Sequence, residues 1–435
     1  ARGGLIDELT RAPAWARLLG ARLERTIAAT RLFLARWERD RDALARAFPE
    51  LLRARALEFD VGLSDPHAGG RAVIRVLAPS GAALYYKPRP LSGERLLAPL
   101  LEGLHAALGE APPVTPRSLE RDDYAWVAHV THRPLDTGAA WRAYHRRAGA
   151  LLLALYVAGV TDAHADNLIA HGEHPVLIDA ECALHPALCG ALAGDADDDT
   201  VARAGLLPRW ARDERGRWYS QAGLSDPRPF EPRRGRWELA ARNTDAMRLR
   251  RGYARGNSGA NAPWREGHAP SERDRRDAVL TGFLHAYRAW QATPSLARAL
   301  VARASDHRGR FVARPTAAYV AVQELLTRPR GPGDDAPLTA ARRALLRPFA
   351  AAPLGARRLA ERLVASELRQ LLAGDIPLFH ADARGDAAFG ADGAVIPGLV
   401  EGGAAALERR LARLGDEDLQ RQLAVLHDAF APAPR

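Results

Sequence analysis

Lysine is all but missing from this chain: Lys87 is the only one, set against 61 arginines. With Ala, Gly and Leu abundant, the bias points to a GC-rich coding sequence in which arginine has replaced lysine. A lysine that survives such replacement is a candidate for a role the planar guanidinium does not fill, that of a compact, movable ammonium. Cysteine is scarce too. Cys182 and Cys189 form no CxxC pair, and no second thiol cluster completes a zinc site. They read as structural thiols of a reducing, cytoplasmic protein. No signal peptide is evident, and the longest apolar run, Ala148 to Val160, is too short to span a bilayer. No GxGxxG loop, EF-hand spacing or nucleic-acid motif occurs. The formal charge of +10 therefore suits an acidic peptide or phosphates better than nucleic acid.

What is present is ordinary for a globular protein. Hydrophobic residues make up 47% and charged residues 26% of 435, enough for one large core or two lobes. The chemically sharp stretch is VTDAHADNLIAHGEHPVLIDAE, Val160 to Glu181. It reads as a loop, a strand, a turn, a second strand and an acidic end. Phosphoryl transfer needs a carboxylate that orients or deprotonates the attacking hydroxyl, and oxygen ligands for the Mg²⁺ that bridges the ATP phosphates. In protein kinases the base Asp precedes a metal-binding Asn by five positions, and a second metal Asp follows beyond a hairpin. Asp162 and Asn167 have that spacing, and Pro-Val-Leu-Ile delivers Asp179 from the end of an apolar strand. The bland alternative is a polar loop in which Asp and Asn serve as turn residues.

Leu5 to Phe48 is helical in pattern, and its charged run Arg36 to Asp42 reads as a solvated face. From Phe59 the pattern changes to a turn, a glycine pair and a strand, Val73 to Leu77. A second strand, Ala82 to Lys87, completes a hairpin. Lys87 ends that strand, where it can reach the α- and β-phosphates of ATP. Leu96 to Leu108 is helical, and either Glu94 or Glu102 is placed to pair with Lys87. A strand pair follows over Leu119 to Val130, then a hinge near Thr131 to Pro134, and the buried helix Arg142 to Val160. Gly194 to Asp199 is a solvated acidic loop, and the Arg-rich span Leu207 to Arg276 is where a kinase places its activation segment and docking insertions. Helices resume over Ala278 to Ser305, Leu338 to Leu372 and Ala404 to Phe430. If Arg308 to Thr316 is a strand, Arg310 and Arg314 share a face suited to phosphate. The expected division is a helical lead-in, 1–58, a small lobe, 59–135, and a large lobe, 136–435.

Five ordered blocks resemble the dehydratase domain of LanM-type, class II lanthipeptide synthetases. They are SDPHAGGR at Ser64 to Arg71, YKPRPL at Tyr86 to Leu91, TDAHADNLIAHGEHPVLIDAE at Thr161 to Glu181, RFVARPTAAY at Arg310 to Tyr319, and SELRQLLAGDIPLF at Ser366 to Phe379. The resemblance implies an α+β, two-lobed fold like that of lipid kinases, with extra helices. It implies that ATP and Mg²⁺ are used to phosphorylate Ser and Thr of a precursor peptide, and that the phosphate is then eliminated to give dehydroalanine or dehydrobutyrine. It places phosphorylation roles on Lys87, Asp162, His164, Asn167 and Asp179, with Lys87 at the nucleotide and Asn167 and Asp179 at the metal. It places elimination roles on Arg310 and Thr316, and catalytic roles on Asp65 and His67. The elimination base is not identified. Asp166 replaces the family's usual Glu, and Ala180 and Cys182 replace the usual Leu and Thr. The chain ends at Arg435 without the ligands of the zinc cyclase that follows this domain in a complete LanM. The expectation is an excised domain, or a stand-alone dehydratase working with a separate cyclase. Two other readings stay open: a kinase without the elimination half, and an idle kinase-like scaffold that binds a peptide.

Overall fold

The computed structural model describes residues 4–52, 57–192, 199–213, 215–226, 236–241, 244–252, 259–264, 270–327 and 336–432. Its elements are mixed helix and strand. A long helix, α1 (Pro13–Ala47), starts on a proline whose missing N–H costs nothing at a first turn. Three strands follow, β1 (Glu58–Asp60), β2 (Ile74–Leu77) and β3 (Ala83–Lys87), then α2 (Ser92–Ala107). Next come β4 (Ser118–Glu120), β5 (Ala125–Ala128) and α3 (Gly138–Val157), which is capped by the Thr137 side chain. The hairpin β6 (Leu168–His171) and β7 (His174–Leu177) precedes the long helix α4 (Glu272–Ala292). The remainder holds β8 (Arg308–Phe311), α5 (Thr316–Leu326), α6 (Leu354–Leu372), β9 (Phe379–Asp382), β10 (Ala388–Gly390), β11 (Val395–Ile396), α7 (Gly403–Arg413) and α8 (Asp416–Ala429).

The first five strands form one antiparallel sheet in the order β1-β2-β3-β5-β4, with Lys87 opposite Ala125 at its end. Helix α1 lies across this sheet. Phe33, Leu44 and Phe48 pack with Ile74, Val76, Leu84, Tyr86, Tyr124 and Trp126. The run Arg36 to Asp42 is therefore not a solvated face throughout, because Arg36 and Asp40 lie on the same side of the helix as Phe33 and Leu44. Arg36 donates to the Tyr86 hydroxyl at 2.5 Å. Asp40 accepts from Tyr124 at 2.7 Å, Trp126 at 2.8 Å and Arg121 at 2.9 Å. Burial alone would raise its carboxyl pKa, but bonds from Trp126, Tyr124 and Arg121 hold it below the usual range.

The main core gathers on α3, which is buried along most of its length and crosses α4 closely. Two glycines permit the crossing. A Cβ on Gly149 would meet the Val279 carbonyl at 2.3 Å, and one on Gly282 would meet the Arg146 carbonyl at 1.9 Å. Helix α2 starts four residues earlier than its pattern suggested and carries Pro99 inside. Among the described residues no helix is long and apolar enough to cross a membrane. Residues 194–198 of the acidic loop, and parts of the Arg-rich span, lie outside the described residues. Asp199 itself pairs with Arg410 at 2.8 Å. A four-stranded sheet, β8-β9-β10-β11, stands beside α6 and brings Arg310 opposite His380.

Candidate active site

A cleft of about 930 Å³ opens between the five-stranded sheet and the β6–β7 hairpin. Asp65, His67, Lys87, Asp162, His164, Asn167, Asp179, Arg310 and Thr316 all line it. The two sides come from different elements. Lys87 descends from the end of β3, while Asp162 and Asn167 occupy the turn between α3 and β6. Asp179 and Glu181 follow β7, and Arg310 and Thr316 arrive from β8 and the start of α5.

Asp162 is held in the left-handed backbone region, φ 72°, which a non-glycine residue adopts at a cost of about 1–3 kcal/mol. Asn167 Nδ2 donates to the Asp162 carbonyl at 2.9 Å, turning its side-chain oxygen the other way. The Asp166 N–H donates to His164 Nδ1 at 3.2 Å, and His164 Nε2 lies 3.3 Å from Asn167 Nδ2 and 3.8 Å from Asp162 Oδ1. The Asp162 side chain keeps about half its surface open to the cleft. Its carboxyl pKa is nonetheless raised, by desolvation first and then by the charges of Asp179 and Glu181, against the pull of His164 and Arg310.

On the floor, three carboxylates face three cations. Lys87 Nζ donates to the Ile178 carbonyl at 2.5 Å and lies 3.6 Å from both Glu94 and Asp179. Of the two candidate partners for Lys87, the fold selects Glu94, and Glu102 is exposed elsewhere. Gly93 makes this approach possible, since a Cβ there would meet the Ala180 carbonyl at 1.8 Å. Arg89 grips Glu94 with both terminal nitrogens, at 2.7 and 3.1 Å, and donates to Asp179 Oδ1 at 2.7 Å. Its Nε lies 3.3 Å from Glu181. Burial would raise the Asp179 carboxyl, but Arg89 and Lys87 hold it far below the usual carboxylate range. The other Glu181 oxygen accepts from Arg310, whose backbone N–H also donates to the Glu181 carbonyl at 3.1 Å.

Arg89 and Glu181 were not singled out by sequence, although both lie inside the quoted blocks. Their partners are set by the fold, with 90 positions between Arg89 and Asp179. Arg314 goes elsewhere. The strand ends at Phe311, so the alternation that would pair it with Arg310 stops there. Arg314 instead bonds the fully buried Glu367 at 2.7 Å, beside Tyr319.

The glycine pair is also committed within the protein. The N–H groups of Gly69 and Gly70 both donate to Asp375 at 2.8 Å, which Arg25 contacts as well. His67 Nδ1 bonds the Ile376 carbonyl at 2.8 Å. A carbonyl only accepts, so Nδ1 carries the proton and Nε2 keeps its lone pair. Desolvation, then the Arg310 charge, lowers the His67 pKa and keeps the ring neutral.

For a divalent metal, Asn167 and Asp179 offer hard oxygens from a side-chain amide and an ionised carboxylate. That fits Mg²⁺, which takes one or two protein oxygens and completes its shell with phosphates and water. For a nucleotide base, Val127, Ala128, Val130, Ile169 and Ile178 give apolar walls.

A family model described as "Domain of unknown function (DUF4135)" matches residues 13–382, most of the chain and all the cleft residues. The chain belongs to the DUF4135 family. This family is typical of LanM-type lanthipeptide synthetases, in agreement with the five sequence blocks. The DUF4135 chain is also similar to the lacticin 481/lactococcin biosynthesis protein LcnDR2 of Lactococcus lactis subsp. lactis, with 30% identity over 120 residues. That match covers 26% of this chain and only 13% of the relative's length.

Proposed function

We propose that this protein is a lanthipeptide dehydratase with a two-lobed, lipid-kinase-like fold. It phosphorylates Ser and Thr of a ribosomal precursor peptide and then eliminates the phosphate. The observation that carries this reading is the meeting of both residue sets in one cleft: Lys87, Asp162, Asn167 and Asp179 beside His67, Arg310 and Thr316. When bound, ATP with Mg²⁺ supplies the phosphoryl group and offsets its charge. Lys87 would place an ammonium toward the phosphates, and Asn167 and Asp179 would hold the metal. Asp162 accepts the hydroxyl proton, and its raised pKa makes it a stronger base than a free aspartate. His164 stands beside it, with Nε2 3.8 Å from Asp162 Oδ1, where a protonated ring would steady the carboxylate.

Elimination breaks the Cα–H bond, forms the Cα=Cβ double bond and expels phosphate with the Cβ–O electron pair. His67 Nε2 is the neutral, unpaired base that fits removal of the α-proton. Arg310 receives the departing phosphate by charge-assisted hydrogen bonds. Thr316 opens α5, whose N-terminus has no side-chain cap and presents backbone N–H groups and a positive dipole end to an anion.

The two steps separate by mutation. Asp162→Asn is expected to slow phosphorylation by about 10²–10⁴-fold and leave the peptide mass unchanged. Arg310→Ala is expected to stall after phosphorylation, with phosphopeptide accumulating as elimination slows by about 10²–10³-fold. Intact-mass analysis reads both. Normal phosphopeptide from the first variant, or complete dehydration by the second, contradicts the assignment.

A further inference from the structure

The floor of the cleft is neutral as it stands. Glu94, Asp179 and Glu181 balance Lys87, Arg89 and Arg310. Arg89 is the hub, because its guanidinium alone reaches all three carboxylates. The consequence falls on Asp179. Its Oδ1 already accepts from Arg89 at 2.7 Å and from the Glu181 N–H at 3.0 Å, which uses both lone pairs. Its Oδ2 lies 3.6 Å from the Lys87 ammonium. A dication coordinating Oδ1 must displace Arg89, or displace the Glu181 N–H and share the oxygen with the guanidinium. One coordinating Oδ2 faces the guanidinium across a single carboxylate, with Lys87 beside it, and like charges at that range repel strongly where water is excluded.

We propose that Arg89 is a built-in counter-cation that competes with divalent metal for Asp179 and makes metal binding conditional on a polyphosphate. The inference rests on the reading of Asp179 as a metal ligand. Phosphate oxygens bring the negative charge that lets Lys87 turn away from Asp179, and Arg89 then retains Glu94 and Glu181 as partners. Without them, the site keeps its own cations and takes metal weakly. Arg89 is thus a positioning residue, acting through Asp179 rather than on the reacting atoms. A guanidinium suits this better than an ammonium, since its planar fork spans three carboxylates at once.

The test uses Mn²⁺ alone, without nucleotide or peptide, with free Mn²⁺ followed by electron paramagnetic resonance. Arg89→Met, which keeps the apolar stem and removes the charge, is expected to bind Mn²⁺ at least about tenfold more tightly than the unmodified protein. Arg89→Lys keeps a competing charge and is expected to stay within about threefold. Adding Asp179→Asn to Arg89→Met is expected to abolish the gain. Circular dichroism checks that each variant is folded, and Arg89→Gln replaces Arg89→Met if that protein is unfolded. A structural role for Arg89 does not tighten metal binding. Unchanged or weaker Mn²⁺ binding in a folded, charge-removed variant overturns the proposal, as does a gain that survives Asp179→Asn. The underlying reading fails differently: Asp179→Asn alone would then dehydrate peptide at the normal rate.

Discussion

In the proposed mechanism Asp162 is the general base, and its surroundings give that proposal a pH signature. Desolvation and two neighbouring carboxylates raise its pKa, and a general base works only when ionised. The phosphorylation rate is therefore expected to rise with pH through an inflection above the usual aspartate value of about 3.9, and initial rates across a pH series check it. His67→Gln keeps a side chain near the Ile376 carbonyl but removes the basic Nε2. It is expected to phosphorylate normally and to accumulate phosphopeptide, as read by mass. That Asp162, Asn167 and Asp179 would line one cleft was legible in sequence because their spacing lies within one loop and hairpin. Arg89 and Glu181 were not, because an ion pair across 90 positions leaves no local pattern.

Helix packing places these side chains, and glycine sets how close the helices come. Gly282 sits where a Cβ would fall 1.9 Å from the Arg146 carbonyl, a backbone atom that cannot turn aside. Gly282→Ala is expected to lower stability by about 1–3 kcal/mol or more, measured by denaturant unfolding. Gly93→Ala has the same defect against Ala180, next to Asp179, and is expected to reduce phosphorylation as well as stability. Helix existence was legible from periodicity, including α3 and the two C-terminal helices. The burial of Arg36 and Asp40 was not. A charged helix face reads as solvated until a sheet with Tyr86, Tyr124 and Trp126 is laid against it. The Arg310–Arg314 pairing failed because a strand of four residues ends before its alternation reaches Arg314.

Across the whole molecule, the five sequence blocks converge on the cleft or brace its walls. Asp375 bonds the Gly69 and Gly70 amides some 300 positions earlier, and Glu367 anchors Arg314 and Tyr319. The order of the blocks was visible in sequence, whereas their mutual contacts needed the fold. Acid sensitivity belongs to this scale. Burial holds His145, His185 and His380 at about 4, below the unfolded value of about 6.5. The unfolded chain therefore binds more protons. Stability from these groups is full above about 6.5 and is lost as pH falls toward about 4. Denaturation midpoints across that window are expected to drop, with up to three protons taken up on unfolding.

The most direct measurement of the central claim is the intact mass of a Ser/Thr-containing precursor peptide, encoded beside this protein, after incubation with the protein, ATP and Mg²⁺. The account predicts loss of one water per modified residue, passing through a transient phosphate adduct. A stable phosphate adduct would contradict the elimination half, and a peptide of unchanged mass with no ATP turnover would contradict the enzyme assignment itself.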